Sequence, residues 1–78
     1  MRSEDLNDEI ERRYGNPEDF ISSCRLALQD AGLTQTALAA EAGFDLGHVN
    51  SWLNGRVVPS VKTMLILDEA LERLLEDL

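Results

Sequence analysis

The sequence of 78 residues has few of the residues that build disulfide or metal sites. Cys24 is its single cysteine, so no intramolecular disulfide can form, which fits a reducing, cytoplasmic environment. Because Ile21, Ala27 and Leu28 surround it along the chain, we interpret Cys24 as a small core residue. His48 is the single histidine and lies far from Cys24. These two side chains cannot supply the ligands of a zinc site, and no metal or other cofactor is expected.

Long apolar segments and catalytic constellations are also missing. No segment approaches the ~20 apolar residues that span a bilayer, and no signal-peptide core is visible, so no membrane partner is expected. No acid–base pair, glycine-rich phosphate loop or activated nucleophile stands out, and we predict that the protein is not an enzyme. The apolar content of 44% is typical of a globular chain, and the length predicts one domain over residues 1–78.

Basic residues are scarce, with seven Lys and Arg against fifteen Asp and Glu and a net charge of −8. Taken alone, this negative net charge disfavours nucleic-acid binding, because Lys and Arg are the side chains that neutralise phosphates. However, the acids concentrate at the two ends: seven fall in residues 1–19 and five in residues 64–78. Residues 20–63 are neutral, and no carboxylate lies between Asp45 and Asp68. The charge distribution therefore predicts acidic ends around a centre that does not repel a polyanion.

The apolar spacing predicts an all-α fold, a compact bundle of about five helices, because no segment alternates with the period of a strand. An acidic N-terminal helix is predicted over 1–15, with an apolar stripe formed by Leu6, Ile10 and Tyr14. Capping side chains precede the other four helices: Asn16, Thr34, Asp45 and Ser60. Glycines suited to helix ends follow the first four: Gly15, Gly32, Gly43 and Gly55.

The helices predicted at 34–42 and 45–54 form a pair joined by a turn at Gly43. Each is too short to bury an apolar face alone, so the pair must dock on the flanking helices. With Val49 set as the inward direction, Trp52 and Leu53 flank it on the buried side of the second helix. Four positions of that helix then face outward: Gly47, Asn50, Ser51 and Asn54.

The segment LTQTALAAEAGFDLGHVNSWLNGRVVPS resembles the helix-turn-helix of phage repressor and Cro-type regulators, the xenobiotic-response-element-like family. The likeness runs from about Phe20 to Leu71. The residues that match the pattern of this family are Gln35, Leu38, Ala39, Gly43, Val49, Trp52, Asn54, Gly55, Pro59 and Ser60. It implies a lambda-repressor-like DNA-binding domain with a family-like core over 17–71, followed by a C-terminal helix over 61–78.

This resemblance implies a transcriptional regulator of the repressor type that binds double-stranded DNA with the helix near 45–54 in the major groove. Phosphate contacts are expected from Gln35, Asn54, Arg56 and Lys62. Base reading is expected from Leu46, Gly47 and Ser51. His48 and Asn50, near the groove wall, complete the set of base-reading candidates. Family members often carry Arg, Gln or Lys at the outer positions, which discriminate bases more sharply than the Leu, Gly and Ser of this chain.

Several of these residues also have ordinary structural interpretations. Leu46 can lie at the edge of the core rather than against a thymine methyl group. Gly47 can permit close approach of the sugar–phosphate backbone or be a neutral surface position, and Asn54 can simply end a helix. Three others can be ordinary solvated side chains: His48, Arg56 and Lys62.

The C-terminal helix carries more apolar residues than one buried face requires. Leu67, Leu71, Leu74 and Leu78 are spaced 4, 3 and 4 apart, as in a heptad seam. They can pack on the N-terminal helix or form a homodimer that binds two half-sites. A rival hypothesis keeps the helix-turn-helix fold but uses it for protein binding, with the acidic terminal helices engaging a basic partner or an effector.

Overall fold

The computed structural model describes residues 16–78, which form four helices and no strand. They are α1 (Pro17–Ala31), α2 (Gln35–Ala42), α3 (Leu46–Leu53) and α4 (Val61–Glu76). The predicted all-α fold is therefore confirmed, with four helices where about five were expected. The helix predicted over 1–15, with Leu6, Ile10 and Tyr14, lies outside the described residues.

Each helix begins at the capping residue that the sequence predicts. The four side-chain oxygens accept backbone N–H groups of the first turn: Asn16 from Asp19, Thr34 from Ala37, Asp45 from Gly47 and Ser60 from Thr63. A cap of this kind stabilises a helix by about 1 kcal/mol. Gly43 ends α2 in the left-handed region at φ 78°, and its amide donates to the carbonyl of Ala39. A residue with a Cβ would be strained there, so this glycine sets the turn into α3.

One apolar core is shared by all four helices. Its largest fully buried side chains are Phe20, Leu38, Leu53, Met64, Leu67, Val49 and Cys24. The short helices α2 and α3 pack on each other; α2 also packs on the long helix α4, and α3 on the long helix α1. Helices of eight residues are marginal in isolation, so their packing on α1 and α4 stabilises them, as predicted.

The prediction that one side of α3 faces the core is confirmed at Val49 and Leu53, which are completely buried. Trp52 is partly buried and packs against the core, with its ring edge-on to Phe44 at a centroid distance of 5.1 Å. The interpretation of Cys24 as a core residue is confirmed, since it is 2% exposed. Burial, with a smaller contribution from the charge of Asp68, raises the pKa of the Cys24 thiol to about 12.

The heptad spacing in α4 corresponds mainly to the domain's own core. Leu67 is fully buried and Leu71 is 7% exposed, so neither side chain is available to a second copy of the chain. Leu74 packs partly against the core, whereas Leu78 is 72% exposed. An apolar face that closes a small helical domain has nearly the same spacing as a coiled-coil seam, and this corrects the dimer prediction at Leu67 and Leu71. None of the four described helices is both long and apolar enough to cross a membrane.

Candidate nucleic-acid interface

The outer side of α3 forms an accessible polar surface. Val49 and Leu53 hold its inner side in the core, and the left-handed turn at Gly43 sets the direction of α3 relative to α2. The positions predicted to face outward are all accessible: Gly47 and Asn54 are exposed, and Asn50 and Ser51 are half-buried. Leu46 is 44% exposed, so its side chain is not part of the core.

The start of α3 depends on a close contact between Asp45 and Gly47. The carboxylate Oδ2 of Asp45 accepts the N–H of Gly47 at 2.9 Å. A Cβ placed on Gly47 would lie 2.8 Å from the same oxygen, closer than such atoms approach in real structures. The glycine therefore makes room for the capping carboxylate. The sequence predicted the cap and the glycine separately, but not the steric relation between them.

Three amide side chains form a hydrogen-bonded chain across α2 and α3. Nδ2 of Asn50 donates to Oε1 of Gln35 at 3.1 Å, and Nδ2 of Asn54 donates to Oδ1 of Asn50 at 2.9 Å. Gln35 is the first residue of α2, whereas Asn50 lies in the middle of α3 and Asn54 caps the end of that helix one turn later. We refer to these three residues as the amide chain. It brings together two predicted phosphate contacts and one predicted base reader.

The end of α3 is fixed by a side chain that the sequence did not predict to take part. Nη1 of Arg25 in α1 donates to the carbonyl oxygen of Leu53 at 3.3 Å. This carbonyl belongs to the last turn, whose oxygens lack partners within the helix, and a cation at that end is favourable. The amide of Arg56 donates to the carbonyl of Ser51 at 2.9 Å, while the Arg56 side chain is exposed. A contact across 28 residues has no signal in local spacing.

His48 lies against Trp52 rather than extending freely into solvent. Their rings are stacked, with centroids 6.0 Å apart and an interplanar angle of 27°. Phe44 contacts the same indole edge-on, so the three aromatic rings form one cluster at the surface. His48 remains exposed to solvent on its other sides. The imidazole is therefore oriented while still accessible.

Comparison with known protein families gives a match to the part of the chain that contains α2 and α3. A profile of the family described as Helix-turn-helix matches residues 25–78, more than half of the sequence. The chain belongs to the helix-turn-helix family, of the lambda repressor and Cro-like type. This family comprises DNA-binding transcription regulators and is generally not enzymatic. No curated protein and no solved structure shows a significant match.

The helix-turn-helix match includes every residue proposed to contact DNA. The predicted phosphate contacts are accessible to different degrees: Asn54, Arg56 and Lys62 are exposed and Gln35 is half-buried. Gln35 and Asn54 are joined through Asn50, whereas no side-chain contact joins Arg56 or Lys62 to this group among the interactions seen in residues 16–78. The candidate surface thus has an ordered amide part and a separate basic part.

Two carboxylates lie close to the helix-turn-helix surface. Asp45 caps the start of α3, and Glu18 lines a surface groove of about 240 Å³ together with Asn54 and Gly55. Glu41 in α2 is paired with Arg73 of α4 at 3.3 Å. Because Glu18 belongs to the acidic segment 1–19, that acidic end is not fully separated from the candidate interface. Within the described part of the chain, no group of His, Cys, Asp or Glu side chains is arranged to hold a metal ion.

Proposed function

We propose that this helix-turn-helix protein is a sequence-specific transcription regulator that binds double-stranded DNA with α3 in the major groove. The observation that carries the proposal is the outer side of α3, which is accessible, rich in hydrogen-bonding groups and followed by no carboxylate until Asp68. An α-helix fits the width of the major groove, where each base pair presents a distinct set of donors and acceptors. A face of this kind can approach base edges, with Asp45 and Glu18 as the carboxylates close to it.

The proposed contacts divide into base readers and phosphate binders. Leu46 is exposed at the first position of α3, where an apolar side chain can contact a thymine methyl group. Gly47 and Ser51 lie beside it on the outer side, and His48 is oriented by Trp52. The phosphate binders are Gln35, Asn54, Arg56 and Lys62. Because only Arg56 and Lys62 are charged, the salt dependence of binding should be modest for a protein of this family.

We further propose that the protein binds DNA as a homodimer. Helix-turn-helix dimers bind half-sites about 34 Å apart, so two copies of α3 must be held at that spacing. The surface that supports this proposal is the end of α4, where Leu75 is 39% and Leu78 is 72% exposed beside the partly buried Leu74. Leu67 and Leu71 stabilise the protomer and take no part in this surface.

The test of DNA binding is selection of duplexes from a random pool, followed by affinity measurements over a range of salt concentrations. The logarithm of affinity should fall with the logarithm of salt by about 0.9 per neutralised phosphate. Arg56→Ala should reduce this slope by about 0.9. Arg73→Ala is the matched control, because Arg73 pairs with Glu41 and is not a proposed contact, so its slope should equal that of the wild type.

The two function hypotheses predict opposite results in this experiment. A chain that binds no duplex at about 50 mM salt, where electrostatic binding is strong, contradicts the regulator proposal. The alternative, an acidic protein-binding module built on the same fold, would then be favoured. Equal slopes for Arg56→Ala and Arg73→Ala would retain DNA binding but reject the proposed docking of α3.

A further inference from the structure

We propose that Asn50 is a positioning residue that holds Gln35 and Asn54 as a single phosphate-binding unit, and that it does not read a base. This inference rests on the proposed function, since it concerns the same DNA-binding surface. It replaces the base-reading role that the sequence suggested for Asn50.

The two polar atoms of the Asn50 side chain are both engaged within the protein. Its Nδ2 donates to Gln35 and its Oδ1 accepts from Asn54, at 3.1 and 2.9 Å. Asparagine discriminates adenine by using the same two atoms together, one as donor and one as acceptor. Each atom keeps one further hydrogen-bonding capacity, but the two internal hydrogen bonds hold the amide between Gln35 and Asn54, and turning it toward a base edge would break them. Base readout by Asn50 therefore competes with the amide chain.

The direction of the hydrogen bonds determines what Gln35 and Asn54 present to the solvent. Because Gln35 accepts through Oε1, its Nε2 group remains available as a donor. Asn54 uses one hydrogen of Nδ2 on Asn50 and keeps the second. Phosphate oxygens only accept hydrogen bonds, so amide donors are the groups that suit them. The amide chain thus turns the glutamine oxygen inward and leaves N–H groups for the DNA backbone.

The amide chain also fixes the relative position of its two ends. Gln35 begins α2 and Asn54 caps the end of α3, so Asn50 connects the two helices on either side of the Gly43 turn. Gln35 and Asn50 are half-buried, which reduces competition from water for their hydrogen bond. Side chains ordered before binding lose less conformational freedom when they contact a ligand. Asn50 accordingly contributes to affinity by ordering its two neighbours.

The experiment compares Asn50→Ala with wild type on the selected duplex, on its single-base-pair variants and on an unrelated duplex. The expected loss of affinity is about 3- to 10-fold, which corresponds to one hydrogen bond, and is equal for all duplexes. Ser51→Ala, on the same face, is the matched control and should lose affinity mainly at one base-pair position. Gln35→Ala should cost less in the Asn50→Ala background than in the wild type, because the two residues act together.

Asn50→Asp provides a sharper version of the test. A carboxylate can still accept from Asn54, but it cannot donate to Gln35, whose amide would reorient to donate Nε2 to the new acceptor. Gln35 would then present its oxygen to the phosphate, so Asn50→Asp should bind all duplexes more weakly than Asn50→Ala. The side-chain N–H₂ resonances of Gln35 in the free protein should shift in both variants, and thermal unfolding in parallel should confirm that both are folded.

Each result has one interpretation. Absence of duplex binding by the wild type overturns the proposed function and this inference together. Binding by the wild type, with the Asn50→Ala loss concentrated at one base-pair position, keeps the function and shows that Asn50 reads that base. Losses for Asn50→Ala and Gln35→Ala that add independently would also keep the function but overturn the positioning role.

Discussion

Helices α3 and α4 contribute apolar faces to the same core but differ in what they turn toward solvent. The exposed or half-buried side of α3 carries amide, hydroxyl and imidazole groups, and its own capping residue Asp45 is acidic. Glu18 of α1 lies near the C-terminal end of α3. The exposed side of α4 carries five charged residues within its helical span. Lys62 lies in its first turn, and the rest of the helix carries three acids and one base: Glu69, Glu72, Arg73 and Glu76. The two helices differ in outward chemistry rather than in burial.

This difference shows that the net charge of −8 describes neither surface. The acids of α4 lie from Asp68 onward, beyond the first turn that carries the proposed phosphate contact Lys62, and there they cost little in DNA affinity. The outer side of α3 has no basic patch, and the acids near it are Asp45 at its start and Glu18 beside its end. For a domain of this size, the distribution of charge among helices is therefore more informative about a polyanionic partner than the sum.

The largest expected effect separates the two roles that leucines of α4 can have. Leu67→Ala should lower the free energy of unfolding by about 2–5 kcal/mol, because it leaves a cavity in the core of the protomer. Leu78→Ala, at an exposed position, should leave the unfolding of the monomer nearly unchanged and weaken dimerisation. Chemical denaturation at two protein concentrations and sedimentation equilibrium measure the two quantities. A small effect of Leu67→Ala on unfolding would show that this side chain is not a core residue.

An effect of intermediate size concerns the start of α3. Replacing a helical glycine by alanine ordinarily stabilises a helix by up to about 1 kcal/mol. Here Gly47→Ala should give little or no gain, since the new Cβ would displace the capping carboxylate of Asp45. In an Asp45→Ala background the cap is already absent, and the same substitution should show its full gain. Thermal or urea unfolding of the wild type, the two single variants and the double variant gives the coupling free energy between Asp45 and Gly47. A coupling free energy of zero would contradict the steric explanation.

The smallest expected effect sharpens the comparison of the two surfaces directly. Asp45→Asn keeps a side chain that can cap α3 but removes one negative charge beside the proposed DNA face. It should raise duplex affinity at low salt by about two- to fivefold, the range of a single exposed charge interaction. Glu69→Gln removes one charge from α4 and should have little effect. Fluorescence anisotropy titrations measure both, and equal gains would mean that only net charge matters.

The sequence predicted most of the fold because local signals agreed with each other. The four caps, the left-handed glycine at 43 and the inward positions of α3 all follow from residues close together in the chain. The heptad-like leucines of α4 were the exception. The spacing of Leu67 and Leu71 is compatible with either a monomer core or a dimer seam, and only packing distinguishes the two.

The candidate site was predictable as a surface but not as a set of interactions. Periodicity placed Asn50, Ser51 and Asn54 on the outer side of α3. It gave no indication that Asn50 connects Gln35 to Asn54, since hydrogen bonds between helices depend on crossing geometry. The contact of Arg25 with Leu53 and the groove that places Glu18 near Asn54 arise in the same way, from residues distant in sequence. The roles of these residues in DNA binding stay predictions.

The burial of Cys24 makes this domain a convenient background for chemical labelling. Its thiol is enclosed by the core and stays protonated at neutral pH, so it should not react with alkylating reagents in the folded protein. A new cysteine at an exposed position such as Thr36 would then carry a dye or spin label alone, with no need to remove the native one. Because Thr36 lies on α2, distances between labels on two copies would report how far apart a dimer holds its two helix-turn-helix units.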